Sequence, residues 1–236
     1  MKRAALATAA LACCGGPAAH TASAKAPVVR QLVAFESGAA VERKVRARGL
    51  TAKVGRRRCA VSTGTALSAL LRSKPGAIRL RDYGSCSRRG RDSGQLFVRS
   101  IRSDRNRGLD GWVYKVGRKT ATAGAADPGG AFGRGRLRSG ARVTWFYGRQ
   151  RGGSFQRTLE LTAKQSGTGT VVVRVRGYDD DGRGTAIQGA EVSARGASAV
   201  TDERGAALLT IPVGSYVVRA SKAGLVPSLG ERVTVR

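Results

Sequence analysis

Gly111-Trp112-Val113-Tyr114-Lys115-Val116 and Arg142-Val143-Thr144-Trp145-Phe146-Tyr147 decide how this chain folds. Each stretch alternates. Trp112, Tyr114 and Val116 share one face with Val113 and Lys115 opposite, and Val143, Trp145 and Tyr147 share another face. A period of two is the mark of a strand with one face buried. Both tryptophans of a chain that is only 5% aromatic sit in these two strands. They therefore carry most of the large apolar surface available, and they are expected at the centre of a small β-rich binding domain. In one reading Trp112, Tyr114, Trp145 and Tyr147 offer a ligand an apolar or stacking platform. In the other they fill the core between sheet and helix.

Outward from these strands, Arg30–Phe35 reads as a first strand, Val41–Lys53, basic with intermittent apolar residues, as another, and Ala77–Asp82 and Gln95–Ile101 alternate again. One segment differs. Ala66, Leu67, Leu70 and Leu71 fall at helical spacing behind Thr65, a candidate N-cap, and Lys74-Pro75-Gly76 marks the stop. Strands, one short helix and more strands predict an α+β domain in which the helix covers a mixed or antiparallel sheet. Residues 117–141 are Gly-rich and without periodicity, so they read as a functional loop or a floppy one.

Charge is concentrated in this first part. The chain has a formal charge of +28, and residues 25–167 hold 32 basic against 8 acidic side chains. Such an imbalance predicts attraction to polyanions; a merely solvated basic surface is the competing account. Arg56-Arg57-Arg58 and Arg134, Arg136 and Arg138 are the candidate anion contacts. Nucleic acid is the weaker partner, because the basic residues lack interleaved aromatics and the chain reads as exported.

Export is read from residues 1–24: Lys2-Arg3, an apolar run from Ala4 to Cys13, and Ala22-Ser23-Ala24 before Lys25 form a signal peptide. Leu11-Ala12-Cys13-Cys14 is a poor lipobox, so release or retention in the cell envelope is favoured over lipidation. Cleavage would remove His20, the only histidine, and leave two cysteines, Cys59 and Cys86. In an exported protein that pair is expected as a disulfide, with free thiols or a metal pair as alternatives. Without histidine an acyl-transfer triad has no imidazole base, and the sparse carboxylates single out no catalytic pair. The chain therefore reads as a binding protein without catalysis or cofactor. Asp179-Asp180-Asp181 before Gly182 suits a turn, with calcium as a secondary reading.

Gln156–Ala163 reads as a last strand of the first domain, and Gln165–Thr170, small and uncharged, as a flexible linker. Beyond it Val171–Tyr178, Ile187–Ala194, Ala206–Ile211, Ser215–Ser221 and Glu231–Arg236 recur at the regular spacing of an all-β sandwich. The predicted domains are thus 25–164 and 171–236, joined by 165–170.

Three segments carry a resemblance: Gly64–Leu70, Gly111–Gly117 and Leu137–Tyr147. They resemble a bacterial domain of unknown function similar to the C-terminal β-domain of transcobalamin and intrinsic factor, which implies a β-grasp-like fold over about residues 30–150. Gly117-Arg118 stands where that family usually has Asn, and Ala141 where it has an acidic residue. Cobalamin binding in the eukaryotic relatives also needs a helical domain that this sequence does not show, so a corrinoid is not carried over. Gly189–Val192, Thr201–Gly205, Pro212–Val218 and Lys222–Gly224 resemble carboxypeptidase regulatory-like and bacterial Ig-like modules. That resemblance implies an Ig- or transthyretin-like sandwich acting as an extracellular spacer or adhesive unit. The combined expectation is a mostly β protein, secreted or held in the envelope, that binds an unidentified small ligand or an anionic wall polymer.

Overall fold

The computed structural model describes residues 25–236; the expected signal peptide, with Cys13, Cys14 and His20, lies outside the described residues. The protein is mostly β with one α-helix among the described residues. In chain order the first part comprises β1 (Val28–Ala34), β2 (Ala40–Arg46), β3 (Leu50–Val54), β4 (Arg57–Val61), α1 (Ala66–Ser73), β5 (Ile78–Asp82), β6 (Leu96–Ile101), β7 (Asp104–Arg105), β8 (Gly111–Val116), β9 (Lys119–Thr120) and β10 (Arg142–Gly148). The second part comprises β11 (Thr158–Gly167), β12 (Thr170–Tyr178), β13 (Gly184–Ala186), β14 (Glu191–Ala194), β15 (Ala197–Val200), β16 (Ala206–Thr210), β17 (Gly214–Ser221) and β18 (Glu231–Val235).

A five-stranded sheet in the order β2-β1-β10-β8-β9 organises the first part, with β1 and β10 parallel and every other pair antiparallel. Alternation gives this sheet two faces. Val29, Gln31 and Val33 of β1, Trp112 and Tyr114 of β8, and Val143, Trp145 and Tyr147 of β10 point to one side. There α1 lays Ala66, Leu67, Ala69 and Leu70 onto them. The helix begins where expected: the Thr65 hydroxyl accepts from the Ser68 amide at 3.2 Å, and Lys74 ends it in the left-handed conformation at φ 48°. Eight residues are too few for a helix to persist alone, so packing on the sheet sustains it. Smaller sheets, β3-β4 and β5-β6-β7, close the same core.

Cys59 in β4 and Cys86 after β5 form a disulfide, as expected, joining segments 27 residues apart. By loop-closure entropy such a crosslink stabilises the fold by about 3.5 kcal/mol. Val41–Lys53, expected as one strand, is two. The chain breaks at Ala47-Arg48-Gly49, where the Ala47 amide bonds the Pro27 carbonyl and the Gly49 amide bonds the Thr63 hydroxyl.

The Gly-rich stretch 117–141 is ordered rather than floppy. Ala125, Ala126 and Ala131 are buried, the Leu67 amide bonds the Ala125 carbonyl at 2.8 Å, and the Leu137 amide bonds the Gly64 carbonyl at 2.8 Å. Its small residues permit close backbone approach: Gly130 has φ +83°, and a side chain there would run into the Gly135 carbonyl.

One boundary moves. Gln156–Ala163, expected to finish the first domain, lies largely in β11, which pairs along its length with β12; Leu159 and Leu161 enter the second core. Residues 165–170, expected as a linker, are the tip of that hairpin, with Gly169 at φ +68°. A polar, small-residue hairpin tip and a linker have the same composition, so only strand pairing separates them. The second core lies between the sheet in which β12 pairs β11, β13 and β16, and the sheet β15-β14-β17-β18. A third apolar cluster, Leu32, Ala34, Phe146 and Val226, sits between the two cores, on the sheet face opposite α1.

Candidate functional site

The four aromatic candidates do not form a platform. Trp112, Tyr114, Trp145 and Tyr147 are all buried on the α1 side of the sheet, and the most deeply buried, Trp145, is 2% exposed. Tyr114 stacks on Trp145 with ring centres 4.9 Å apart, and Trp112 meets Tyr147 edge to face at 6.0 Å. Three of the four polar ends are taken by neighbouring backbone: Trp112 Nε1 donates to the Asp104 carbonyl, Tyr114 Oη to the Ala123 carbonyl and Tyr147 Oη to the Arg105 carbonyl, while the buried Trp145 Nε1 has no partner among the described residues. Burial pushes the titration of both tyrosines above the ordinary phenol range. These rings fasten the 102–110 and 121–131 loops to the sheet, and the platform reading is corrected to a core one. Their alternation showed the strands; it could not show that helix and loops cover that face.

The arginine candidates are exposed. Gly55-Arg56 is the two-residue turn joining β3 to β4, with Gly55 at φ +58°, so Arg56, Arg57 and Arg58 crown a hairpin tip. Across that hairpin Arg58 lies directly opposite Lys53. Like charges facing each other across a strand pair are destabilising, and no carboxylate is paired with either among the described residues.

The other end of β4 leads to Ser62, which lines a depression of about 460 Å³ with Arg89, Gly90, Arg91, Pro128 and Arg136. Five strand residues reach about 17 Å, so β4 spans the distance between the hairpin-tip arginines and this depression, with Cys59, Ala60 and Val61 between them. Of the loop arginines, the structure brings Arg136 into it; Arg134 and Arg138 are exposed on the same loop. Arg89 and Arg91 were legible only as a basic loop, because Cys59–Cys86 and the pairing of Ala60 with Ser87 are what set that loop against β4.

The few carboxylates here are turned to structural work. Asp82, with a side chain 7% exposed, accepts from the Gly84 and Cys86 amides and pairs with Arg57 at 3.4 Å. Asp92 accepts from the Ser87 hydroxyl, and Asp127 from the Gly129 amide. Glutamates cluster instead between the two cores, where Arg30 pairs with Glu42 and Glu231, and Glu160 pairs with Arg118 and Arg142. Arg118 also donates two hydrogen bonds to Glu160, at 3.0 and 2.6 Å, which holds that carboxyl below its usual range. Basic residues at the junction are thus paired, while on the β3–β4 hairpin only Arg57 finds a carboxylate and Lys53, Arg56 and Arg58 pair with none among the described residues.

Asp179-Asp180-Asp181 diverge rather than converge. Asp179 accepts from the Arg183 amide, Asp181 pairs with Arg183, and Asp180 accepts from the Thr120 hydroxyl and the Phe155 amide. The turn that they shape docks on the first part of the chain.

Comparison of the chain with protein families, with curated proteins and with solved structures finds no match. The site must therefore be read from its own chemistry.

Aromatic residues do interleave with the basic ones, contrary to the expectation from sequence. Tyr83 and Phe97 are 60% and 45% exposed, and both lie beside arginines of β5 and β6. Parity was the available signal: Leu96 and Val98 point inward, so Phe97 and Arg99 share the outward face.

Proposed function

We propose that this is a secreted or envelope-held binding protein, without catalysis, whose first module grips an anionic wall polymer such as a teichoic acid. The observation that carries this reading is the Lys53–Arg58 pair, two cations placed opposite each other with no carboxylate between them. A fold keeps such a repulsive contact at a cost in stability, and a bound polyanion would offset it. The Arg89, Arg91 and Arg136 depression extends the same surface. The disulfide supports an oxidising compartment, in keeping with the signal peptide read from sequence. The mixed β2-β1-β10-β8 order with one covering helix supports the transcobalamin-type, β-grasp-like likeness, and the second module serves as spacer or adhesive unit.

Retention of the protein on an immobilised anionic polymer across a salt series tests the reading. Elution should shift steeply with salt, since each neutralised anion releases a counterion. Binding insensitive to salt, or none, overturns it.

A further inference from the structure

Among the described residues, the outward face of β5 and β6 is where large rings stand in solvent: Tyr83 and Phe97. In register, Arg81 of β5 lies opposite Phe97 of β6. Tyr83, one residue past β5, meets Phe97 edge to face with ring centres 5.2 Å apart and an interplanar angle of 85°. The Arg81 guanidinium lies 4.6 Å over the centre of the Tyr83 ring. A bulge between Arg79 and Leu80 displaces the register, and Arg99 occupies the extra position outside. Arg79, Arg81 and Arg99 pair with no carboxylate among the described residues, and the neighbouring Asp82 is turned inward onto the Gly84 and Cys86 amides.

Two exposed rings in contact form an apolar patch of the kind that marks an interaction site, and the exposed charged side chains beside them on β5 and β6 are Arg79, Arg81 and Arg99. We infer that Tyr83 and Phe97 form a ring-stacking subsite for the sugar units of an acidic polysaccharide, with Arg79, Arg81 and Arg99 meeting its acid groups. The inference rests on the polyanion reading above and adds the chemistry of the repeating unit. Two rings at a right angle make an open corner, with the Tyr83 face under Arg81 already occupied. That corner suits the C–H faces of a pyranose, drawn to the negative face of an aromatic ring, better than a slot for a flat base. The disulfide supports an oxidising compartment for this surface, which again favours sugar polymers over nucleic acid.

The test compares binding of three probes, polygalacturonate, linear polyphosphate and a single-stranded DNA oligomer, to wild type, to Tyr83→Ala/Phe97→Ala and to Tyr83→Leu/Phe97→Leu. The leucine pair keeps apolar bulk without rings and controls for folding, together with an unchanged melting temperature. Loss of both rings should weaken polygalacturonate about tenfold or more, by analogy with stacked bases. Polyphosphate, which has charge but no ring, should change less than about twofold. Equal weakening of both probes, or none, overturns the subsite while leaving the polyanion reading in place. Ring-dependent binding of DNA but not of polygalacturonate overturns it in favour of nucleic acid. Failure of wild type to bind either anionic polymer defeats the parent reading itself.

Discussion

Lys115 Nζ lies 3.8 Å from Asp180 Oδ1, and the two residues come from different parts of the chain, Lys115 from β8 and Asp180 from the turn after β12. Lys115 is fully buried, at 0% exposure, because the sheet face opposite α1 is covered by the second part of the chain. Its ammonium also donates to the carbonyls of Tyr178 and Asp179, at 3.0 and 2.8 Å. Burial lowers its pKa, and Asp180 and Asp179 partly offset that. Lys115→Met should destabilise the protein by about 2–4 kcal/mol, because two buried carbonyls and Asp180 lose their partner. Chemical denaturation measures it, and in a double-mutant cycle with Asp180→Asn the losses should not add.

Both tryptophans are core residues, so quenching by acrylamide should be weak and should rise only on unfolding. Saturating polyanion should leave their fluorescence unchanged. Trp145→Ala should cost about 3–5 kcal/mol as a core truncation. Trp112→Phe should cost about 1 kcal/mol, the loss of the bond to the Asp104 carbonyl.

Glu160 makes stability pH-dependent. Its folded pKa is lowered, chiefly by the Arg118 hydrogen bonds. The contribution is therefore full above the unfolded carboxyl pKa of about 4.3 and is lost as pH falls through the folded value. Glu160→Gln should be less stable than wild type by about 1 kcal/mol at pH 7, given the partial exposure of Arg118. The two proteins should converge in acid, as thermal melts between pH 7 and pH 2 would show.

Arg58→Thr should separate stability from binding. Removing one member of the Lys53–Arg58 pair relieves cross-strand repulsion and should raise stability by a few tenths of a kcal/mol, up to about 1 kcal/mol. The same change should weaken polyanion retention and flatten its salt dependence. Melting temperature and salt elution on one sample check both; a variant that is less stable and binds as wild type would count against the surface proposed here.

Reading the letters alone located the strands around Trp112 and Trp145, the capped helix behind Thr65, the cystine and the all-β second half. Each is a local pattern: alternation, a capping hydroxyl at the right offset, a pair of thiols. What escaped were relations between distant segments. Gln156–Ala163 alternates correctly but does not reveal which sheet it joins, and the linker-like 165–170 becomes a hairpin tip only once β11 pairs β12.

For the site the division is the same. Arg56, Arg57 and Arg58 were evident as a basic run, but that Arg58 faces Lys53 depends on the two-residue turn at Gly55. From sequence the rings read either as a platform or as core, because a strand has two faces and periodicity separates them without saying which stays wet. In this protein Trp112 and Tyr114 turn toward α1, Lys115 toward the second core, and Phe97 toward solvent. The sequence by itself determined the strand faces, the cap and the charge imbalance; tertiary packing decided which faces were covered, since burial depends on what the rest of the chain brings alongside.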